Sequence, residues 1–168
     1  MIVTKIGVEI KKYPAIFAHL KQWQPQLEAR SDQGKYWWEL RACAYYEAFD
    51  KPKIIYPQIM SGPMFVFDDK GIIINQKCFI IQSDELYLNG VLNSSAFWNM
   101  IVAGSPILRG GYSEPRRDYL NTIPIPNAAA SDKSAIESLV ESCLKKGGAD
   151  CADEEAEINA RVAKLYGL

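Results

Sequence analysis

The sequence predicts an α+β domain: a small curved, largely antiparallel sheet with packed helices and a two-helix C-terminal extension. Between residues 53 and 81, short apolar runs alternate with turn-forming Asp, Gly, Asn and Pro, a pattern typical of short strands joined by turns. On both sides of this stretch, apolar residues recur at the three- and four-residue spacing of amphipathic helices. Grouped strands flanked by helices together predict this fold class.

The first helical stretch covers residues 13–30. Tyr13, Phe17 and Leu20 lie at helical spacing, and Pro14 suits a first turn. Pro25 cannot lie in the interior of a regular helix, because it lacks the amide hydrogen and its ring clashes with the preceding turn. We therefore expect a break near residue 24.

The strands are expected in the middle of the chain. Residues 53–57 form a short apolar run that ends at a proline, and residues 78–81 form another. Residues 64–67 and 72–74 flank a turn signal that ends at Gly71, so this part of the sequence predicts a hairpin.

The remainder of the chain combines helices with two irregular segments. Ser94 or Ser95 can cap one helix, and Gly147 with Gly148 can end another. In chain order, the sequence predicts helices at 85–92 and 96–103, a glycine-rich loop at 104–117, an extended proline-rich segment at 123–126, and helices at 131–146 and 153–166.

Length and composition limit the classes of protein to which this chain can belong. The chain has 168 residues, which corresponds to about one domain. It is 48% hydrophobic and 23% charged, which excludes a disordered tail, a coiled-coil rod and a collagen-like chain. The formal net charge is −1, whereas proteins that hold nucleic acid through charge alone are usually far more basic. Residues 1–130 carry 14 Lys and Arg against 12 Asp and Glu, and residues 131–168 carry 5 against 8.

The sequence also indicates the cellular location of the chain and the redox state of its cysteines. No run approaches the roughly 20 apolar residues of a membrane helix, and the N-terminus lacks the features of a signal peptide. A cytoplasmic location is therefore expected. The four cysteines include no C-x-x-C pair and the chain has one histidine, which argues against a zinc site and favours reduced thiols.

Motifs that carry catalysis are absent from the sequence. It contains no phosphate-binding glycine loop, no nucleophile elbow and no Asn-Pro-Pro-aromatic motif of the kind found in amino-methyltransferases. A single histidine leaves little material for Ser–His or Cys–His chemistry. We therefore assign no catalytic, metal-binding or cofactor-binding residue, and whether the chain is part of an enzyme stays open.

The remaining pattern consists of basic residues interleaved with aromatic residues on expected loops. Lys35, Tyr36, Trp37 and Arg41 form one such cluster, and three arginines lie in the loop at 104–117. Arginine can bind guanine through two hydrogen bonds, and both arginine and lysine can neutralise phosphates. The alternatives are that the aromatic residues belong to the core and that the arginines form a solvated loop.

Several blocks along most of the chain resemble a known family. They include GKYWWELR at residues 34–41, KPKIIYP at 51–57, GGY at 110–112 and IPIP at 123–126. In order and spacing, these blocks resemble the TaqI-like C-terminal specificity domain. This is the target-recognition domain of type IIG restriction–modification enzymes and related adenine methyltransferases.

The resemblance implies recognition of a specific double-stranded DNA site, largely through the major groove. In that family, a methyltransferase domain N-terminal to this one flips the target adenine and methylates N6 from S-adenosylmethionine. Type IIG proteins add a nuclease domain further N-terminal. This chain contains neither domain, and is expected to be a C-terminal fragment or a separately encoded specificity piece.

The resemblance also sets the expected partners and cofactors. The partners are double-stranded DNA and a methyltransferase catalytic domain or subunit. No cofactor is expected in this chain, whereas the parent enzyme would use S-adenosylmethionine, and Mg²⁺ if it includes a nuclease. We accordingly divide the chain into a DNA target-recognition domain at 1–127 and a C-terminal helical extension at 128–168, packed on it.

Residue types and family blocks together select the candidate DNA-binding residues. Glu39 is expected to orient Arg41, and Lys53 and Tyr112 enter because they belong to matching blocks. The full set is Lys35, Tyr36, Trp37, Arg41, Lys53, Arg109, Tyr112, Arg116 and Arg117.

An alternative function remains open at this point. The acidic helices after residue 131 would dock this chain, as an interaction module, on a methyltransferase subunit. The simpler interpretation is that these helices only cover the core of their own domain.

Overall fold

The computed structural model describes residues 2–168 and divides the chain into two compact units. The N-terminal unit ends at Tyr46, and the C-terminal unit runs from Glu47 to Leu168. The sequence predicts a boundary elsewhere, between residues 127 and 128, and that domain division stays a prediction.

The N-terminal unit is built from short helices and loops. A 3₁₀ helix at Ile10–Lys12 leads into α1 (Pro14–Lys21), and α2 (Gln24–Glu28) follows directly. Both α-helices carry a proline in the first turn, where its missing amide hydrogen costs nothing. The expected helix break near residue 24 is confirmed, because Pro25 lies in the first turn of a new helix instead of continuing α1.

A three-stranded antiparallel sheet lies in the C-terminal unit, after a 3₁₀ helix at Tyr46–Asp50. Strands β1 (Lys53–Pro57), β2 (Val66–Asp68) and β3 (Cys78–Gln82) are arranged in the order β2-β1-β3. The central strand is buried over its first four residues. This sheet, together with the helices around it, confirms the α+β class.

The expected hairpin between residues 64–67 and 72–74 is wrong, because residues 72–74 form no strand. The Asp68 carboxylate accepts hydrogen bonds from the backbone amides of Lys70 (3.0 Å) and Ile72 (2.8 Å). These bonds turn the chain out of the sheet immediately after β2 and occupy an amide that a strand ladder would need. The partner of β2 is therefore β1.

Helices follow the sheet, and all but the short one at Arg117–Leu120 were predicted from the sequence. They are α3 (Leu86–Leu92), α4 (Ser95–Gly104), α5 (Arg117–Leu120), α6 (Ala130–Lys145) and α7 (Ala152–Leu165). Ser94 caps α4, since its hydroxyl oxygen accepts a hydrogen bond from the Phe97 amide at 3.2 Å. This confirms the capping residue that the sequence offered.

The two C-terminal helices bury their apolar faces inside the C-terminal unit. Ile136 of α6 and Val162 of α7 have no exposed surface, and both belong to the core cluster. At Gly90 of α3, a methyl group would lie 2.6 Å from a side-chain carbon of Ile136, so α3 and α6 approach closely. The hydroxyls of Tyr87 and Tyr166 donate to carbonyls of the extended segment at 123–126 and fix it.

None of the helices among residues 2–168 has the length and apolar composition that a bilayer span requires.

Candidate nucleic-acid interface

Residues 105–117, here called the arginine loop, form an ordered structure in the C-terminal unit. Ser113 and Met60 exchange two backbone hydrogen bonds, of 2.9 and 2.8 Å, and Ile107 forms a further bridge with Ser113. Met60 and Ser113 are almost completely buried. The Gln58 amide also donates to the Glu114 carboxylate at 2.8 Å, so the loop is anchored along its second half.

The tip of the arginine loop is a tight turn. The Gly111 amide donates to the Leu108 carbonyl at 3.1 Å, and the Leu108 amide donates to the Tyr112 carbonyl at 2.7 Å. Gly110 has a φ of 90°, which a residue with a side chain rarely adopts. This turn places Arg109 at the tip, with its side chain exposed.

Tyr112 supports the same turn. A methyl group built on Gly110 would lie 3.3 Å from the Tyr112 ring, so the ring packs against the glycine. The Tyr112 side chain remains 45% exposed. It can therefore brace the turn and still offer a surface to a ligand.

Arg116 and Arg117 lie where the loop ends and α5 begins, and both are exposed. Among residues 2–168, the guanidinium groups of Arg109, Arg116 and Arg117 have no hydrogen-bond or ion-pair partner. Three unpaired guanidinium groups on one anchored loop form a set of donors suited to phosphates and base edges.

Helix α5 is held against α4 by a close contact. The Tyr119 hydroxyl donates to the Met100 carbonyl at 2.7 Å. A methyl group at Gly104, the last residue of α4, would lie 1.9 Å from the Tyr119 ring. A side chain at this position would have to displace the Tyr119 ring, so glycine permits the contact that fixes the helix from which Arg117 projects.

The aromatic segment, residues 34–41, forms a ring cluster in the N-terminal unit. Tyr36 stacks on Trp38 with a centroid separation of 4.6 Å, and Trp37 meets Trp38 edge to face at 5.4 Å. Phe17 of α1 contacts both tryptophans. Trp37 and Trp38 are half-buried, Tyr36 is 45% exposed, and the Lys35 ammonium lies over the Tyr36 ring. The tryptophans thus pack the unit, while Lys35 and Tyr36 face solvent.

Glu39 is the buried carboxylate of this segment. It accepts hydrogen bonds from the backbone amides of Gly7 (2.8 Å) and Tyr36 (3.1 Å). Burial raises the pKa of Glu39, but the bonds from Gly7, Tyr36 and Lys35 outweigh it and hold the pKa below its usual 4.5. A methyl group at Gly34 would lie 2.6 Å from the Glu39 Cβ, so Gly34 permits this packing.

The expectation that Glu39 orients Arg41 is wrong. Arg41 forms an exposed ion pair with Asp32 at 3.3 Å, whereas the Glu39 carboxylate is taken by backbone amides. An exposed pair of this kind is weak, about 0–1 kcal/mol, so the Arg41 guanidinium can exchange Asp32 for another anion. Residues 2–46 carry seven Lys and Arg against four Asp and Glu, a formal charge of +3.

Lys53 lies in the core instead of on the surface. Its side chain has no exposed area, and its ammonium donates to the Phe49 carbonyl at 2.7 Å and pairs with the Asp68 carboxylate. The two residues face each other in the β1–β2 register. Because both of these acceptors are internal and buried, Lys53 has no surface to offer DNA, and it drops out of the candidate interface.

The chain is similar to a known family of specificity domains. The family model of the TaqI-like C-terminal specificity domain matches residues 5–125, which include the aromatic segment and the arginine loop. The chain belongs to this family. The resemblance read from the sequence blocks is thereby confirmed.

A curated relative of this specificity domain is a methyltransferase. The type II methyltransferase M.BanIII of Aneurinibacillus aneurinilyticus is 24% identical over 175 residues, an alignment that covers 98% of this chain. The chain spans about 30% of the length of that relative. The two similarities together support the assignment of this chain as a restriction–modification specificity domain.

The predicted residues of the specificity domain fall into two groups, one in each unit. The arginine loop brings four of them together in the C-terminal unit, and the aromatic segment holds four in the N-terminal unit. The first group is Arg109, Tyr112, Arg116 and Arg117, and the second is Lys35, Tyr36, Trp37 and Arg41.

Sequence reasoning missed one organising residue. Arg30 donates from its guanidinium to the carbonyls of Leu27, Trp37 and Glu39, at 2.8 to 3.1 Å, and so ties the end of α2 to the aromatic segment. A basic residue just after a helix is a recognised partner for unpaired carbonyls, which was the available signal.

Proposed function

We propose that this chain recognises a specific double-stranded DNA site and positions a separate N6-adenine methyltransferase domain on it. The observation that carries the proposal is the set of exposed, unpaired guanidinium groups on the arginine loop. Unpaired arginines on a surface leave their charge free for phosphates, whose neutralisation supplies nearly all of non-specific DNA affinity and a large share of specific affinity.

The anchoring of the loop supports recognition of a defined site. A mobile loop would lose conformational freedom on binding, whereas this loop is already held by the Met60–Ser113 bridge and the Gln58–Glu114 hydrogen bond. Ordered loops on a rigid scaffold are common positions for specificity residues.

The distribution of charge supports DNA contact by the N-terminal unit as well. Residues 2–46 carry +3, whereas residues 47–168 carry 12 Lys and Arg against 16 Asp and Glu, or −4. The near-zero charge of the chain therefore conceals a basic unit. Lys35 and Arg41 are its exposed cations on the aromatic segment, and we propose that they approach the DNA backbone.

The catalytic chemistry is proposed to reside outside these residues. The relative M.BanIII is by its name a type II methyltransferase, and about 70% of its length has no counterpart in this chain. In our proposal, a domain equivalent to part of that remainder binds S-adenosylmethionine and transfers the methyl group. A Mg²⁺-dependent nuclease domain would be needed only in a parent enzyme of type IIG.

Docking through the C-terminal helices is the less favoured alternative. Four apolar residues of α6 and α7 are buried in the C-terminal unit itself, namely Ile136, Val140, Ile158 and Val162. A partner would therefore meet outer faces that are mostly polar, with Leu144 as an exposed apolar residue. This use of their apolar faces favours DNA recognition over docking as the main function.

Fluorescence anisotropy with labelled duplex DNA tests the proposal. We expect the full chain to bind duplexes at low salt. Two or more phosphate contacts predict that the logarithm of the association constant falls with the logarithm of salt concentration with a slope of about −1.8 or steeper. Folded protein that shows no salt-dependent binding would contradict the proposal.

A further inference from the structure

We infer that Arg109 is the base-reading residue of the arginine loop and that it recognises guanine in the major groove. Arg116 and Arg117, at the base of the loop, bind phosphates and set its position. This inference rests on the proposed function and assigns separate roles to the three arginines of the loop.

The shape of the turn singles out Arg109. The Leu108–Gly111 turn is closed by one hydrogen bond of 3.1 Å, and the two residues after Arg109 are glycines. With no side chain at Gly110 or Gly111, the Arg109 side chain is the one long group at the apex. The Ile107–Ser113 bridge pairs the two sides of the loop below this apex. The major groove, which is about 12 Å wide, admits a paired two-stranded segment, so an apex of this kind can reach base edges.

The apex is also held in place. Gly110 and Gly111 both have positive φ, 90° and 81°, and the Tyr112 ring packs against Gly110. Below the turn, the hydrogen bonds between Ser113 and Met60 join the loop to a residue with no exposed surface. A base-reading side chain needs this support, since bidentate hydrogen bonding tolerates little displacement of the guanidinium plane.

The surroundings of Arg109 suit contact with base edges in a DNA groove better than contact with the phosphate backbone. Ile107 is 67% exposed and Tyr112 45% exposed, so apolar surface flanks the tip on both sides along the chain. Exposed apolar side chains contact base edges and thymine methyl groups, whereas phosphates offer them nothing. Arg116 and Arg117 lie instead at the base of the loop, where α5 begins, and both are exposed.

The chemistry of the arginine side chain sets the expected base. Its planar guanidinium donates two parallel hydrogen bonds to O6 and N7 of guanine, the commonest specific contact in the major groove. A lysine at the same position would keep the charge but lose this paired geometry. Arg109→Lys therefore separates base reading from charge neutralisation.

Selection from a pool of randomised duplexes, followed by anisotropy on the selected site, tests the inference with the full chain. We expect wild-type protein to prefer guanine at one position by about tenfold to a hundredfold. Arg109→Lys should lose the preference at that position alone, while its affinity for unrelated duplex stays within about twofold. Arg116→Ala, the matched control, should weaken binding to all sequences equally and keep the preference.

Each other outcome has a defined meaning. If Arg109→Lys keeps the guanine preference, or if wild-type protein binds duplexes without any preference, the assignment of Arg109 is overturned while DNA binding stands. If wild-type protein binds no duplex, the proposed function fails and this inference fails with it.

Discussion

Replacement of Lys53 by methionine tests whether this cation belongs to the core or to the DNA-binding surface. Methionine keeps most of the volume of the side chain but removes the ammonium that binds Asp68 and the Phe49 carbonyl. Breaking a buried ion pair by removing one partner costs about 3–5 kcal/mol. Asp68 keeps its two backbone amide donors in the variant, so we expect the lower end, about 3 kcal/mol.

Urea denaturation followed by far-ultraviolet circular dichroism measures this loss. With a urea m-value of about 1–3 kcal/mol/M, a loss of about 3 kcal/mol lowers the midpoint by at least about 1 M. Lys145→Met is the control, because Lys145 is an exposed cation of the same unit and its replacement should change stability by less than about 0.5 kcal/mol.

Two results together would contradict the placement of Lys53 in the core. Lys53→Met would then leave the urea midpoint at the level of Lys145→Met and would also flatten the salt dependence of DNA binding. That pair of outcomes would identify Lys53 as a surface cation in contact with phosphate.

Two further predictions concern packing and pH. Gly104→Ala would place a methyl group 1.9 Å from the Tyr119 ring and should destabilise the chain by about 1–3 kcal/mol in the same urea assay; Gly62→Ala, with open space around it, should be close to neutral. Burial raises the pKa of Asp68, but its hydrogen bonds outweigh this and hold the pKa below 3.8. The ionised Asp68 carboxylate therefore stabilises the fold above that pH, and this stabilisation is lost as the pH falls below it. The urea midpoint of wild-type protein should accordingly fall more steeply below about pH 4 than that of Asp68→Asn.

The local elements of the fold were predictable because their signals are local. Pro25 marks the start of α2 and Ser94 caps α4, and both act through the backbone of their own neighbourhood. Strand pairing was less predictable, because it depends on partners distant in sequence. The Asp68 carboxylate accepts a hydrogen bond from the Ile72 amide and pairs with the Lys53 ammonium. The sequence of the turn predicts neither contact.

The residue types of the candidate interface were predictable from the sequence, whereas their spatial arrangement was not. Arginines beside paired glycines indicated an exposed loop, and the structure has one. The sequence did not reveal that Ser113 and Met60 anchor it, because the two residues are far apart along the chain and neither is distinctive. It also could not distinguish Lys53 from an exposed lysine, since the difference lies in a strand register.

The salt dependence of duplex binding by Arg116→Ala tests the central claim most directly. If the arginine loop neutralises phosphates, removing this guanidinium should reduce the magnitude of the slope by about 0.9, while Lys145→Ala leaves the slope unchanged. Equal slopes for wild-type protein and Arg116→Ala, with both proteins folded, would contradict the claim that this loop contacts DNA.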